Sequence, residues 1–305
     1  MELSGRDIAA ASGAVIIWGL NFVAMKYALR DFTPFQLGFF RYVFAVLPLV
    51  FFVPKPKLGW AWLVPAGLAQ FAQFALLFLA LKFDMTAALA SVLIQTQIFF
   101  TAILGAVLLG ERVSPPMRMG FALAAVGLTF FALNFVTGSE TAGVTVVGLL
   151  LNVGSGFAMA SANIVARKAQ HADTDYDPLQ FVVWMSLVPI IPFGVLAWFS
   201  EPAATHWHWM QASLFGWCSV AFLGWFATIA AYGFWTDLLK RHPANRVSPF
   251  GLGVPVVGLA AGMLALGERV TAWQWAGSAF VIAALVTVMS TPNAMTPLPQ
   301  KEPAD

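Results

Sequence analysis

Apolar residues in this chain fall into ten runs, separated by short polar stretches. The runs lie near 8–29, 35–53, 60–82, 86–110, 116–136, 146–168, 178–199, 211–238, 244–267 and 273–290. Each is about 20 residues long, which is what an α-helix needs to cross the hydrocarbon of a bilayer. They are continuously apolar rather than alternating, which excludes a membrane β-barrel. The first is too long for the core of a cleavable signal peptide and carries Asn21. The pattern predicts an all-α integral membrane protein of ten transmembrane helices. The loops leave no room for a soluble domain. The stretch His171–Asp177 reads as the longest hydrophilic connection, and the Pro-rich polar tail 291–305 reads as disordered and cytoplasmic.

Composition agrees: 60% of the 305 residues are hydrophobic and 10% charged, where a soluble domain carries about a quarter charged. A net charge of +2 is too small to point to nucleic acid. The single cysteine, Cys218, rules out an intramolecular disulfide and a Cys-based metal cluster. His171, His206, His208 and His242 all fall in loops, so neither a metal nor a cofactor is expected. The expected partners are the lipid bilayer and a small-molecule substrate, and the chain reads as a monomer. Lys and Arg in the loops set orientation. With the N-terminus inside, eleven fall on the cytoplasmic side and four outside, which predicts both termini in the cytoplasm.

The chain also repeats. Leu109–Val113 reads LGERV and Leu266–Val270 reads LGERV again, 157 residues later, with Gly120 matching Gly277. GLNFVAMK (Gly19–Lys26) matches SANIVARK (Ser161–Lys168) at an offset of 142, pairing Asn21 with Asn163. Two ordered matches indicate a duplicated five-helix unit, residues 1–138 and 139–290. Five is odd, so the two copies are expected to insert with opposite orientation, a recurring plan of secondary transporters.

WGLNFV in the first run, Arg41 within GFFRYVFA, and the two spans ending in LGER resemble the drug/metabolite transporter superfamily, and within it the EamA-type bacterial exporters. The resemblance covers residues 8–290. It implies a ten-helix inner-membrane exporter of amino acids and related metabolites, aromatic ones included. It also implies a pathway lined mainly by the first, third, fourth, sixth, eighth and ninth helices.

Polar side chains inside a span are costly and tend to face a cavity or a partner helix. On the first span Trp18 and Asn21 share a face, as do Asn152, Met159 and Asn163 on the sixth. Asn21 and Asn163 could bind a substrate's carboxylate and amino groups, or only join helices. The third span offers Gln70, Gln73 and Phe74. In the fourth, Gln95 and Gln97 lie about 200° apart, so only one of them is expected to face a cavity. Trp225, Thr228, Tyr232 and Trp235 form a stripe on the eighth, readable as cavity wall or as packing. Substrate-binding candidates are therefore Trp18, Asn21, Gln70, Phe74, Gln95, Asn152, Met159, Asn163, Trp225 and Tyr232. Ser248–Gly262 holds two prolines and four glycines, and a bend near Pro255 is the candidate gate. Arg41 is expected to snorkel outward, the commoner fate, or else to neutralise a substrate carboxylate.

No Asp or Glu lies deep in a span and no phosphate-binding loop is present. That predicts a facilitator moving its solute down its gradient, or a weakly coupled exchanger, by alternating access and driven neither by ATP nor by a midplane proton site. The alternatives are a multidrug or cationic-compound efflux carrier, which would want a buried anion, an intramembrane enzyme, for which no catalytic constellation converges, and a sensory membrane subunit.

Overall fold

A computed structural model describes residues 4–136, 145–172, 177–242, 244–289 and 295–296. It contains ten helices long and apolar enough to span a membrane. They are α1 (Gly5–Ala28), α2 (Pro34–Phe51), α3 (Trp60–Lys82), α4 (Ala87–Leu109), α5 (Pro115–Leu133), α6 (Val146–Gln170), α7 (Pro178–Phe199), α8 (Leu214–Leu239), α9 (Pro249–Leu266) and α10 (Ala272–Met289). Large apolar side chains cover the outside; Leu264 is 86% exposed and Leu214 82%. In water such a surface would aggregate, whereas against lipid it costs nothing.

Local sequence sets the helix ends. Ser4 and Asp7 form a reciprocal capping box at the start of α1, and Thr33 and Gln36 form another at α2, where Pro34 takes the first turn. α4 and α9 both end in a left-handed glycine, Gly110 at φ 67° and Gly267 at φ 66°, a conformation only glycine adopts without strain. The next residue in each case is a glutamate that folds back over its own helix. A methyl group placed on Gly105 would lie 2.5 Å from a Glu111 carboxylate oxygen, and one on Gly262 would lie 2.5 Å from the matching oxygen of Glu268.

Several spans are not regular. α4 passes through a 3-10 turn at Ile94–Thr96, and α8 contains π-helical turns over Phe222–Ala230. In α9 the irregular stretch is the 3-10 segment Ser248–Leu252, upstream of where the bend was expected. Pro255 sits in the first turn of the regular helix Gly253–Leu266, where its missing N–H leaves no intrahelical bond unmade.

α1 packs on α8 and α9, α6 on α3 and α4, α2 on α7, α4 on α9, and α5 on α10. Small residues permit the tightest approach. A methyl on Gly258 would sit 2.3 Å from Ser91 Cβ, and one on Gly262 2.8 Å from the Ala88 nitrogen. The GxxxG face of α9 is thus the seam against α4. Met295–Thr296 pair antiparallel with Arg112–Val113; the rest of the tail, and residues 173–176 of the polar connection, lie outside the described residues.

Gly258→Val should lower the melting temperature in detergent markedly, because overpacking a close seam typically costs ~1–3 kcal/mol. Gly233→Ala, which would meet nothing within 4 Å, should leave it unchanged. Equal melting temperatures for the two variants would contradict the packing described.

Candidate functional site

All ten helices run between two ends of the bundle. One end carries the N-terminus, the end of α6 and the end of α8; the other carries the α1–α2 and α7–α8 connections. A cavity of about 330 Å³ lies between α3, α6, α7 and α8, toward the N-terminal end. Gln70, Asn163, Phe181, Tyr232 and Trp235 give its wall both polar and aromatic character. Trp18 backs it: its ring meets Tyr232 at 5.5 Å and Trp235 at 5.4 Å, edge-on, and its indole N–H donates to the Ala227 carbonyl at 3.0 Å. Tyr42 donates its hydroxyl to Gln70 at 3.2 Å, tying α2 to the cavity wall. Asn163 donates to Gln97 of α4 at 2.8 Å.

Arg41 lies behind this wall, only 3% exposed. Its guanidinium donates to Asn21 Oδ1 at 3.2 Å and to Thr228 Oγ1 at 3.1 Å, and stacks 3.9 Å above the Phe74 ring. The expectation that it snorkels outward is not met. The outward direction along α2 is filled by Phe40 and by the aromatic cluster of Phe32, Trp209 and Trp217. Inward, two side-chain oxygens and a π face are available.

At the opposite end polar contacts join the helices, and a second cavity of about 440 Å³ lies there between α2, α7 and the α7–α8 connection, lined mainly by aromatic rings. Glu268 accepts the backbone N–H groups of Ala87 at 2.7 Å and Ala88 at 2.8 Å, the orphan donors at the start of α4. Lys26 donates to the Leu81 carbonyl and Tyr27 to the Ala265 carbonyl, each at 2.9 Å. Asp31 accepts from Ser213, and Glu201 accepts from the Thr33 hydroxyl and the Phe35 N–H. Burial raises the Glu201 pKa above the ordinary carboxylate value, while those hydrogen bonds oppose the rise. At the N-terminal end Arg241 joins Asp7 and Asp237, His242 lies 3.0 Å from Asp7, and Arg167 holds Glu111.

Of the residues singled out from sequence, Gln70, Asn163 and Tyr232 line the cavity and Trp18 packs against it. Asn21 and Phe74 serve Arg41 rather than the cavity wall. Gln95 and Met159 are half-buried and outside the lining. Asn152 is fully buried with neither amide atom hydrogen-bonded, also away from the lining. Trp225 is 44% exposed on the outer surface, its ring against Phe44 and its N–H on the Leu47 carbonyl. Sequence reasoning missed Phe181 and Gln170 in the lining, since no periodicity distinguishes a cavity-facing phenylalanine from a packed one. A signal for Arg41 did exist: no acidic residue lies within a helical turn of it.

The profile of the EamA-like transporter family matches residues 6–133 and again 146–290. A "Probable amino-acid metabolite efflux pump" of Escherichia coli K12 is 37% identical over 285 residues, covering 93% of this chain and 94% of that one. The protein of the same name in Salmonella typhimurium LT2 is 36% identical, with the same coverage. A solved crystal structure shares the fold with a TM-score of 0.61 at 17% identity, over 92% of this chain and 96% of the other. Two profile matches and these relatives leave one assignment: the chain is a multi-pass membrane protein and belongs to the EamA-like transporter family.

Proposed function

We propose that this protein exports amino acids or related small metabolites, aromatic ones among them, across the bacterial inner membrane. In this reading two inverted five-helix halves alternate around a central site, with both termini in the cytoplasm and the solute moving down its own gradient. The observation that carries the reading is a cavity of about 330 Å³ toward one end of the bundle whose wall combines amides with aromatic rings, while at the other end Glu268 joins α9 to the start of α4. Sites for small metabolites usually begin at about 300 Å³. The wall mixes amides with aromatic rings, which suits an amino acid, and the two bacterial relatives carry names of that kind. Among the described residues the lining holds no carboxylate, which supports facilitation over proton coupling and disfavours a cation efflux carrier.

Two further features support alternation. Raising or lowering each helix number by five relates the main helix pairs: α1 on α8 and α9 becomes α6 on α3 and α4, while α2–α7, α4–α9 and α5–α10 are unchanged. The two LGER glutamates, alike in backbone, differ in partner. Glu268 holds the start of α4 at the end opposite the N-terminus. The same offset of 157 would set the backbone of Ala244 and Asn245, in the short helical turn Ala244–Val247 that leads into α9, against Glu111, but Arg167 occupies that carboxylate. In the opposite state the start of α9 docks on Glu111. Glu268 then releases α4 and turns to Lys26, which already lies within its electrostatic range.

Proteoliposomes loaded with labelled amino acids, phenylalanine among them, should show downhill flux without a pH gradient. Absence of flux for every amino acid would contradict the export reading, and uphill movement driven by a pH gradient alone would contradict facilitation. Asn163→Leu and Gln70→Leu should each slow flux about tenfold, equivalent to ~1.4 kcal/mol, while Trp225→Phe keeps the parental rate. A normal rate in both leucine variants would remove the cavity from the pathway.

The glutamate exchange predicts a contrast between two substitutions. Glu268→Ala should lower both flux and melting temperature, since each charge-assisted hydrogen bond contributes ~1.5–3 kcal/mol. Glu111→Ala should lower flux with a smaller thermal effect, because it loses only a partly exposed ion pair. Undiminished flux in Glu111→Ala would refute the exchange.

A further inference from the structure

We infer that the cavity binds its substrate through a carboxylate, and that Arg41 is the counter-charge that fixes it. The inference rests on the transporter reading and names the chemical group recognised. An arginine does not give up its proton in proteins, so Arg41 brings a full positive charge into the hydrocarbon layer. A charge at that depth is kept only where a partner or a function requires it.

The groups facing Arg41 come from four helices: Asn21 of α1, Tyr42 beside it on α2, Phe74 of α3, and Thr228 and Tyr232 of α8. None of them is an acid, and Arg41 makes no ion pair among the described residues. Its Nη1 and Nη2 atoms are each engaged by one neutral oxygen, and its Nε–H is buried with no acceptor at all. Nε and one Nη nitrogen form the planar fork that takes both oxygens of a carboxylate. The guanidinium therefore presents an unengaged Nε–H beside an Nη held by one neutral oxygen, which a carboxylate would displace.

The route to it is short. Gln70 and Tyr232 line the cavity. Gln70 is bonded by Tyr42, the chain neighbour of Arg41. Thr228, which holds Nη2, lies one turn before Tyr232 on α8. When Gln70 turns aside, a carboxylate in the cavity meets the guanidinium, while the rest of the solute stays against Trp235 and Phe181. The Phe74 ring beneath the guanidinium keeps the fork in one orientation. A solute with an amine but no carboxylate gains nothing here and is repelled.

Proteoliposome flux of phenylalanine, phenylalaninamide and phenethylamine tests this directly. The parental protein should move the acid at least tenfold faster than the amide or the amine. Arg41→Gln should lose acid flux by about a hundredfold with little change for the amide, erasing the preference, and Arg41→Lys should restore part of it. Equal parental flux of acid and amide, or a preference that survives in Arg41→Gln, would overturn the assignment. Thermal stabilisation of the detergent-solubilised protein by phenylacetate gives a readout that needs no transport and no amino group. It should appear in the parental protein and in Arg41→Lys, and be lost in Arg41→Gln. If no amino acid moves but phenylacetate stabilises, the export reading fails and the carboxylate site stands; if amino acids move and phenylacetate gives no stabilisation, the site fails and export stands. Should Arg41→Gln not fold, the parental acid–amide comparison and the lysine variant decide.

Discussion

Hydrocarbon offers no hydrogen-bond partner, so a polar group this chain carries into the bilayer is costly unless another part of the chain meets it. That constraint organises the structure. The orphan N–H groups at the start of α4 are met by a carboxylate from the far end of α9, so Glu268 fastens two distant helices with one side chain. The π-helical turns of α8 place the Thr228 hydroxyl on the Leu223 carbonyl, five residues back, and leave its oxygen for Arg41. Arg41 in turn ties α2 to α1 and α8. Because such bonds cannot be replaced by water, each must be exchanged for another when the helices move. A carrier needs bonds of that kind, with two possible partners rather than one.

The two LGER segments illustrate the idea. The left-handed glycine, the returning glutamate and the glycine beneath it recur with matching geometry. Only the group on the carboxylate differs. Under the proposed exchange, the two engagements of this recurring device are the two positions between which it alternates.

Much of this architecture was legible in the sequence. Ten spans, the duplication and the close seam at Gly258 and Gly262 follow from run length, spacing and residue size, which are properties of the chain itself. Gln70, Asn163 and Tyr232 were legible as cavity residues because a polar group in a span has few other uses. What could not be read was direction. Trp225 and Tyr232 sit on one stripe by helical periodicity, yet the π-helical turns over Phe222–Ala230 disturb that periodicity, and Trp225 lies on the outer surface. The prolines and glycines of Ser248–Gly262 mark an irregular span, but their number does not say that the 3-10 turns fall at Ser248–Leu252 and that Pro255 falls in the first turn of the helix that follows. Arg41 was judged by its distance from the helix end, whereas its burial depends on oxygens from α1 and α8 that no local pattern announces.

The central claim is that the two halves face opposite ways across the bilayer. On a Cys218→Ser background, which removes the only cysteine, single cysteines at positions 112 and 269 can be labelled in intact cells with a membrane-impermeant thiol reagent. The account predicts labelling at position 269 and protection at position 112 until the membrane is permeabilised. Labelling of both positions from the same side would contradict it.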